Sequence, residues 1–235
     1  MADINTATRT TLLPQTLEQW YRNPRPMRAM ETAEVESYTV ARDIHYIDIR
    51  HGLLERIDRQ MLAWWHRYFC YQRLVASNGM EVSGFELWHP EDHVSCVVER
   101  HSLSGALGLT DGARFTCVEK HGNGQLTTRS GRVLRLDDRG RRIDFRIFQH
   151  IYGLQMDDVV ESGQGISLST RMVLETKGFV REATERGNEA VIDELKTAWI
   201  RHTIEEIGNL ERILPCMYHG RQQGRIGQQP HASTH

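Results

Sequence analysis

Near the end of the chain His202 and Glu206 stand four residues apart, so in a helix both project from one face about one turn from each other. A divalent cation can bridge such a pair, although an exposed His and Glu sharing a helix face have the same spacing. The neighbours matter here. Trp199, Ile204, Ile207 and Leu210 imply that much of this helix is buried, and a buried imidazole and carboxylate need a partner. A second cluster reads Phe85-Glu86-Leu87-Trp88-His89-Pro90-Glu91-Asp92-His93. His89 follows an apolar pair and precedes a proline that would end or bend a strand, so its imidazole is expected to enter a cavity from a strand edge. Asp92 and His93 fall in the turn beyond and join the candidate catalytic group, with Asp92 suited to orient a metal-bound imidazole. A capped turn with two solvated histidines would read the same way.

His89, His202 and Glu206 together make two imidazoles and a carboxylate with an open position, a catalytic zinc pattern that iron or manganese also uses. A fourth ligand can come from a strand. Glu119 is the best candidate, because it ends the apolar run Phe115-Thr116-Cys117-Val118; its alternative is a rim residue paired with Lys120 or Arg114. His150, after the run Ile143 to Phe148, is a candidate proton donor or acceptor near neutral pH, and equally a satisfied core histidine.

The surrounding pattern supplies elements to position these groups. Between Gly52 and Phe69 the residues Leu53, Leu54, Ile57, Met61, Leu62, Trp65 and Phe69 recur at helical spacing. From Gly84 to Leu174 short runs, such as Val94 to Val98, Ala113 to Val118, Gln125 to Thr128, Val133 to Leu136, Ile143 to Phe148 and Ile166 to Leu174, are broken by turn residues. These predict antiparallel strands. After Gly178 a helical stripe from Val191 to Leu214 runs up to Pro215, which is expected to stop it. A helix, a curved sheet and a long final helix lying across it make an α+β helix-grip domain with a cavity between helix and sheet, placed at residues 46–219. Residues 1–45, with Pro14, Pro24 and Pro26, read as an extended arm, and 220–235, rich in Gly and Gln, as a disordered tail.

Trp64-Trp65, the element Leu87 to His93, Ser169-Thr170-Arg171-Met172, and His202 to Leu210 running into Leu214-Pro215 and Tyr218 follow one another in an order that resembles the 2,4-diacetylphloroglucinol hydrolase family, which includes phloretin hydrolase. The resemblance covers about Gly52 to His219. It implies a Bet v 1-like fold, a homodimer, and a zinc ion held by two histidines and two glutamates. By motif the ligands are His89, His202 and Glu206; Glu119 fits the fourth role, and His150 a catalytic histidine, by approximate position only. The reaction implied is hydrolytic removal of an acyl group from the ring carbon of a polyhydroxylated aromatic ketone. Phe85 stands where the family would have a tyrosine, so a hydroxyl that would contact a phenolic substrate is missing, and the chain is shorter before Trp64 than members of that family.

Bulk composition fits this reading. The 235 residues suit one sizeable domain, with 39% hydrophobic and 26% charged residues. A net charge of -2 gives no electrostatic footprint for nucleic acid or an anionic membrane. No run approaches the roughly 18 apolar residues of a membrane helix, and no leader is evident at Met1, so a cytoplasmic protein is expected. Cys70, Cys96, Cys117 and Cys216 lack the short paired spacing of a thiolate zinc site and read as free thiols. The expected partner is a small aromatic ketone or polyketide. Two rival functions remain on the same scaffold: a polyketide-tailoring isomerase or cyclase using the same metal, and a metal-free carrier of hydrophobic ligands.

Overall fold

A computed structural model describes residues 11–41, 43–100, 108–121, 124–147, 151–177 and 190–222. Its centre is a nine-stranded sheet whose main path runs β2 (Ala33–Ala41), β3 (Ile44–His51), β12 (Gly165–Glu175), β11 (Ile151–Ser162), β10 (Gly140–Ile147), β9 (Gln125–Asp137), β8 (Arg114–His121) and β7 (His93–Arg100). Each neighbouring pair is antiparallel, and the short β4 (Leu54–Glu55) joins the start of β12. A small second sheet contains β1 (Thr11–Leu12), β5 (Arg73–Val75) and β6 (Glu81–Ser83). Four α-helices are described: α1 (Gln15–Arg22), α2 (Arg59–Tyr68), α3 (Gly84–Trp88) and the long α4 (Ala190–Gln222). The curved sheet and long final helix form the α+β helix-grip arrangement.

Alternation places one side of each strand against the helices. Along β12 this side carries Ile166, Leu168, Thr170, Met172 and Leu174, all buried, while α4 answers with Ile204, Ile207, Leu210 and Leu214 at 0% exposure. The buried side is not wholly apolar. Thr170 is opposite Asp157 and Asp157 opposite Arg141, so a polar belt crosses the sheet and continues in Arg129 and Glu119 farther along. Only glycine fits at 140, where φ is +138° and a Cβ would strike the carbonyl of Asp157.

Five expectations need correction. The arm read at 1–45 carries regular structure: Leu17 and Trp20 of α1 join the core, and β2 forms an edge of the large sheet, with Tyr38 stacked on Tyr46 at 5.1 Å. Its prolines fall at the cap of α1 and in the following link, so they interrupt neither element. The runs at 125–128 and 133–136 are one strand, because the polar residues between them alternate outward and Gly131 lies beside the Phe115 ring. Pro215 does not stop α4. Met217 and Tyr218 are buried beyond it, Tyr218 edge-on to Trp64 at 5.6 Å, and that packing offsets the lost backbone bond. Residues 84–88, read as part of a strand, form α3. Ser83 caps it by accepting from Glu86 N at 3.1 Å, while Glu86 Oε2 accepts from Ser83 N at 2.9 Å. The tail at 220–235 begins inside α4, and 223–235 lie outside the described residues.

Candidate metal centre

The short helix α3 sets the geometry of the site. Trp88 Nε1 donates to the Glu206 carbonyl at 2.7 Å and Asn209 Nδ2 donates to the Trp88 carbonyl at 3.0 Å, so α3 is pinned against the middle of α4. His89 caps α3 and His93 opens β7 directly afterwards, opposite Glu119 in the sheet register. His89, His93, Glu119, His202 and Glu206 are each at most 6% exposed.

Among the described residues two overlapping groups could hold a cation: His93, Glu119 and His202, and His89, Asp92 and His202. In each, the ligand atoms lie within 4.8 Å of one another. Hydrogen bonding favours the first. His93 Nδ1 faces the Phe85 carbonyl at 2.8 Å, so this nitrogen donates and Nε2 holds a lone pair. That Nε2 is buried and has no hydrogen-bond partner. His202 Nδ1 faces Asp92 Oδ2 at 2.9 Å, which likewise turns its lone pair to Nε2. Both Nε2 atoms approach Glu206 Oε2, at 3.6 Å from His93 and 3.7 Å from His202. These separations are long for hydrogen bonds. They are close to the edge of a tetrahedron of N and O ligands about 2.1 Å from a zinc ion, roughly 3.4 Å.

His89 differs. Its Nδ1 accepts from Asp92 N at 3.2 Å, so its Nε2 donates, and it faces Glu205 Oε2 at 3.2 Å. His89, expected as a ligand, stands in one of the two groups, with its ring nitrogens also paired to Asp92 and Glu205, whereas His93, expected in the turn beyond, presents its lone pair from the start of β7. Asp92 orients His202 and also receives Arg201 Nη2 at 3.2 Å. Glu119 is no rim residue; it is buried and accepts from Arg129 Nη2 at 2.9 Å. His150 lies outside the described residues.

The protonation states suit metal binding. Burial brings His202 down to about 4, with His89 adding to this and the Asp92 bond only partly opposing it, so the imidazole is neutral at pH 7. Burial would raise Glu206, but His93, His202 and Arg141 outweigh it and hold the carboxyl at about 2, so it is ionised. Asp92 is also lowered: its burial penalty is overcome by His202, His89 and Arg201. Neutral imidazoles and ionised carboxylates are the forms that bind a divalent cation.

Glu206 also reaches a narrow cleft between α2, α3 and strands β8–β10, with about 20 Å³ of open space, room for about one water molecule. Phe69, Phe85 and Trp88 form its aromatic side, and Arg129 and Arg141 its basic side. Phe85 lies flat on the His93 ring, 3.8 Å between centroids. Trp88 lines this cleft, whereas Tyr152 is 47% exposed under Arg146, because Gly153 takes the inward position beside Phe145. The sequence reading missed this basic side, though Arg129 and Arg141 fall at the inward phase of their strands. Three of the four thiols gather together, Cys96 Sγ lying 2.6 Å from Cys117 and 3.2 Å from Cys70, and all four are free.

No protein-family model and no curated protein matches the chain. Solved structures with similar folds include the di-domain ARO/CYC StfQ from the steffimycin biosynthetic pathway (10% identity, TM-score 0.49, 76% of this chain and 52% of that one), of which this chain spans about half. A protein from Mycobacterium smegmatis (11%, 0.45, 78% and 97%) and Ara h 8.0201 (12%, 0.38, 67% and 97%) follow a similar course. Among the described residues no helix is long and apolar enough to cross a membrane.

Proposed function

We propose that the chain is a divalent-metal-dependent hydrolase, with zinc the preferred ion, that cleaves the bond between an acyl carbonyl and a carbon of a polyhydroxylated aromatic or β-diketone. The observation that carries the metal reading is the convergence of two imidazole lone pairs, from His93 and His202, on the ionised carboxylate of Glu206, with Glu119 beside them. The acyl-phenol substrate class comes from the sequence resemblance.

A bound divalent cation would supply Lewis acidity, polarising a carbonyl and lowering the pKa of a coordinated water towards neutrality. The chain's own residues supply the rest. His93, His202, Glu119 and Glu206 hold the ion, while Asp92 and the Phe85 carbonyl fix the two ring orientations. Trp88 locks Glu206 in register. Departure of the ring as a carbanion is tolerable where its hydroxyls let it delocalise charge as the keto tautomer.

Incubating the zinc-loaded protein with acetylphloroglucinol and assaying for acetic acid and phloroglucinol tests the reaction. Stoichiometric release of both supports it. Bound zinc with no acid released from several acylphenols would favour the tailoring reading, an isomerase or cyclase. A protein that takes up no metal would leave the ligand-carrier reading.

A further inference from the structure

We propose that one water molecule is a fixed part of this fold, seated in the cleft beside Trp88, where it joins His66 to Glu206 and orients that carboxylate. The water site stands on the cleft alone, whereas its orienting role rests on the metal-centre reading. The open space there is about 20 Å³. A water needs roughly 10–15 Å³ of such space, so the cleft takes about one and excludes any organic ligand. The walls decide whether it is wet, because apolar cavities stay dry and those offering a water several polar partners do not.

His66 on α2 lines the cleft at 2% exposure, and among the described residues its Nε2 has no hydrogen-bond partner. Arg129 Nε is in the same state: the two terminal nitrogens are committed to Glu119 at 2.9 Å and Gln155 at 3.4 Å, and Nε is buried without a partner. Arg141 Nη2 stands 3.9 Å from Glu206 Oε1, beyond direct hydrogen-bond reach, a gap of the kind a water closes. All four side chains border the one small space. A water there accepts from the two guanidinium groups and donates to Glu206 Oε1 and to the His66 imidazole, which burial and the Arg141 charge hold neutral, well below the usual histidine range. Buried nitrogens left unpaired would be costly, and the water satisfies them.

The consequence falls on the metal centre. Glu206 Oε2 faces His93 and His202, so Oε1 is the oxygen left for a brace. The Phe85 carbonyl braces His93, Asp92 braces His202 and Arg129 braces Glu119. The water gives Glu206 the equivalent partner, since ligating carboxylates are themselves hydrogen-bonded.

Oxygen-17 magnetic relaxation dispersion on the metal-free full chain counts long-lived internal waters and tests the site. His66→Phe, which removes the polar partner and fills the space with an apolar ring edge, should show one fewer than wild type, and His66→Gln should keep it. Equal counts in wild type and His66→Phe overturn the proposal. If His66→Phe does not fold, a crystal structure of the wild type decides: a water within hydrogen-bond distance of both His66 Nε2 and Glu206 Oε1 is expected, and a dry cleft overturns the proposal. Competition with a chromogenic chelator reads the orienting role: zinc affinity should fall about tenfold or more in His66→Phe and by less than about threefold in His66→Gln. Loss of the water with zinc affinity unchanged overturns that role. A wild type that holds the water and binds no zinc would sink the metal-centre reading and leave the water site in place.

Discussion

His93 Nε2 stands 3.6 Å from Glu206 Oε2, bringing together the first residue of β7 and the middle of a helix more than a hundred positions later. The two are held there by separate anchors: the Phe85 carbonyl on the far nitrogen of His93, and the Trp88 indole on the backbone of Glu206. Both anchors belong to α3. The short helix therefore fixes both sides of the candidate centre.

The different pairing of His89 and His93 gives the sharpest mutational contrast. His93→Ala removes a lone pair aimed at the centre and should abolish stoichiometric zinc binding. His89→Ala removes a brace, and should keep one zinc per chain with affinity lowered by roughly 10–100-fold. Competition with a chromogenic chelator reads both; equal losses would contradict the assignment.

Asp92→Asn should keep the fold but weaken its hold on the His202 ring. Zinc affinity is expected to fall by roughly 10–100-fold, with an unchanged circular dichroism spectrum. A variant that binds zinc as well as wild type would show that the 2.9 Å contact does not orient the ligand.

Trp88→Phe deletes the donor to the Glu206 carbonyl while leaving most of the ring volume. A loss of about 1–2 kcal/mol is expected, seen as a fall in melting temperature of roughly 3–6 °C, together with weaker zinc binding. Lower stability with unaltered zinc affinity would separate the α3–α4 link from the site.

These residues also show what could be read in the sequence. The His202–Glu206 spacing is a local property of one helix, and Glu119 stands out as an acid on an apolar strand, so both were legible. The roles of His89 and His93 turned on whether 84–88 is strand or helix. The proline after His89 suggested a strand end, whereas Ser83 and Glu86, three apart, carried the capping-box signal for a helix. Strand β2 was hidden because its residues are mostly exposed and show no buried alternation. The polar belt of Asp157, Arg141 and Arg129 depends on cross-strand register, which no local pattern contains.

Metal-free protein should lose stability in mild acid. Burial, outweighing the pull of Asp157 and Glu206 on His51, brings His51 to about 4, and burial does the same to His202, against about 6.5 for an unfolded histidine. Between those values the unfolded chain binds more protons than the native one, so this stability is complete above pH 6.5 and declines as pH falls towards 4. Thermal melts in chelator should be flat from pH 7 to 8 and drop by roughly 5 °C or more by pH 5. A melting temperature that rises on acidification over this range would mean these imidazoles are charged in the fold.

X-ray absorption at the zinc edge of the reconstituted wild-type protein tests the ligand set most directly. The account predicts a first shell of nitrogen and oxygen only, at roughly 2.0–2.1 Å, with the outer scattering of two imidazoles. Sulfur at roughly 2.3 Å would place the metal at the Cys70, Cys96 and Cys117 thiols instead, and contradict the centre built on His93, Glu119, His202 and Glu206.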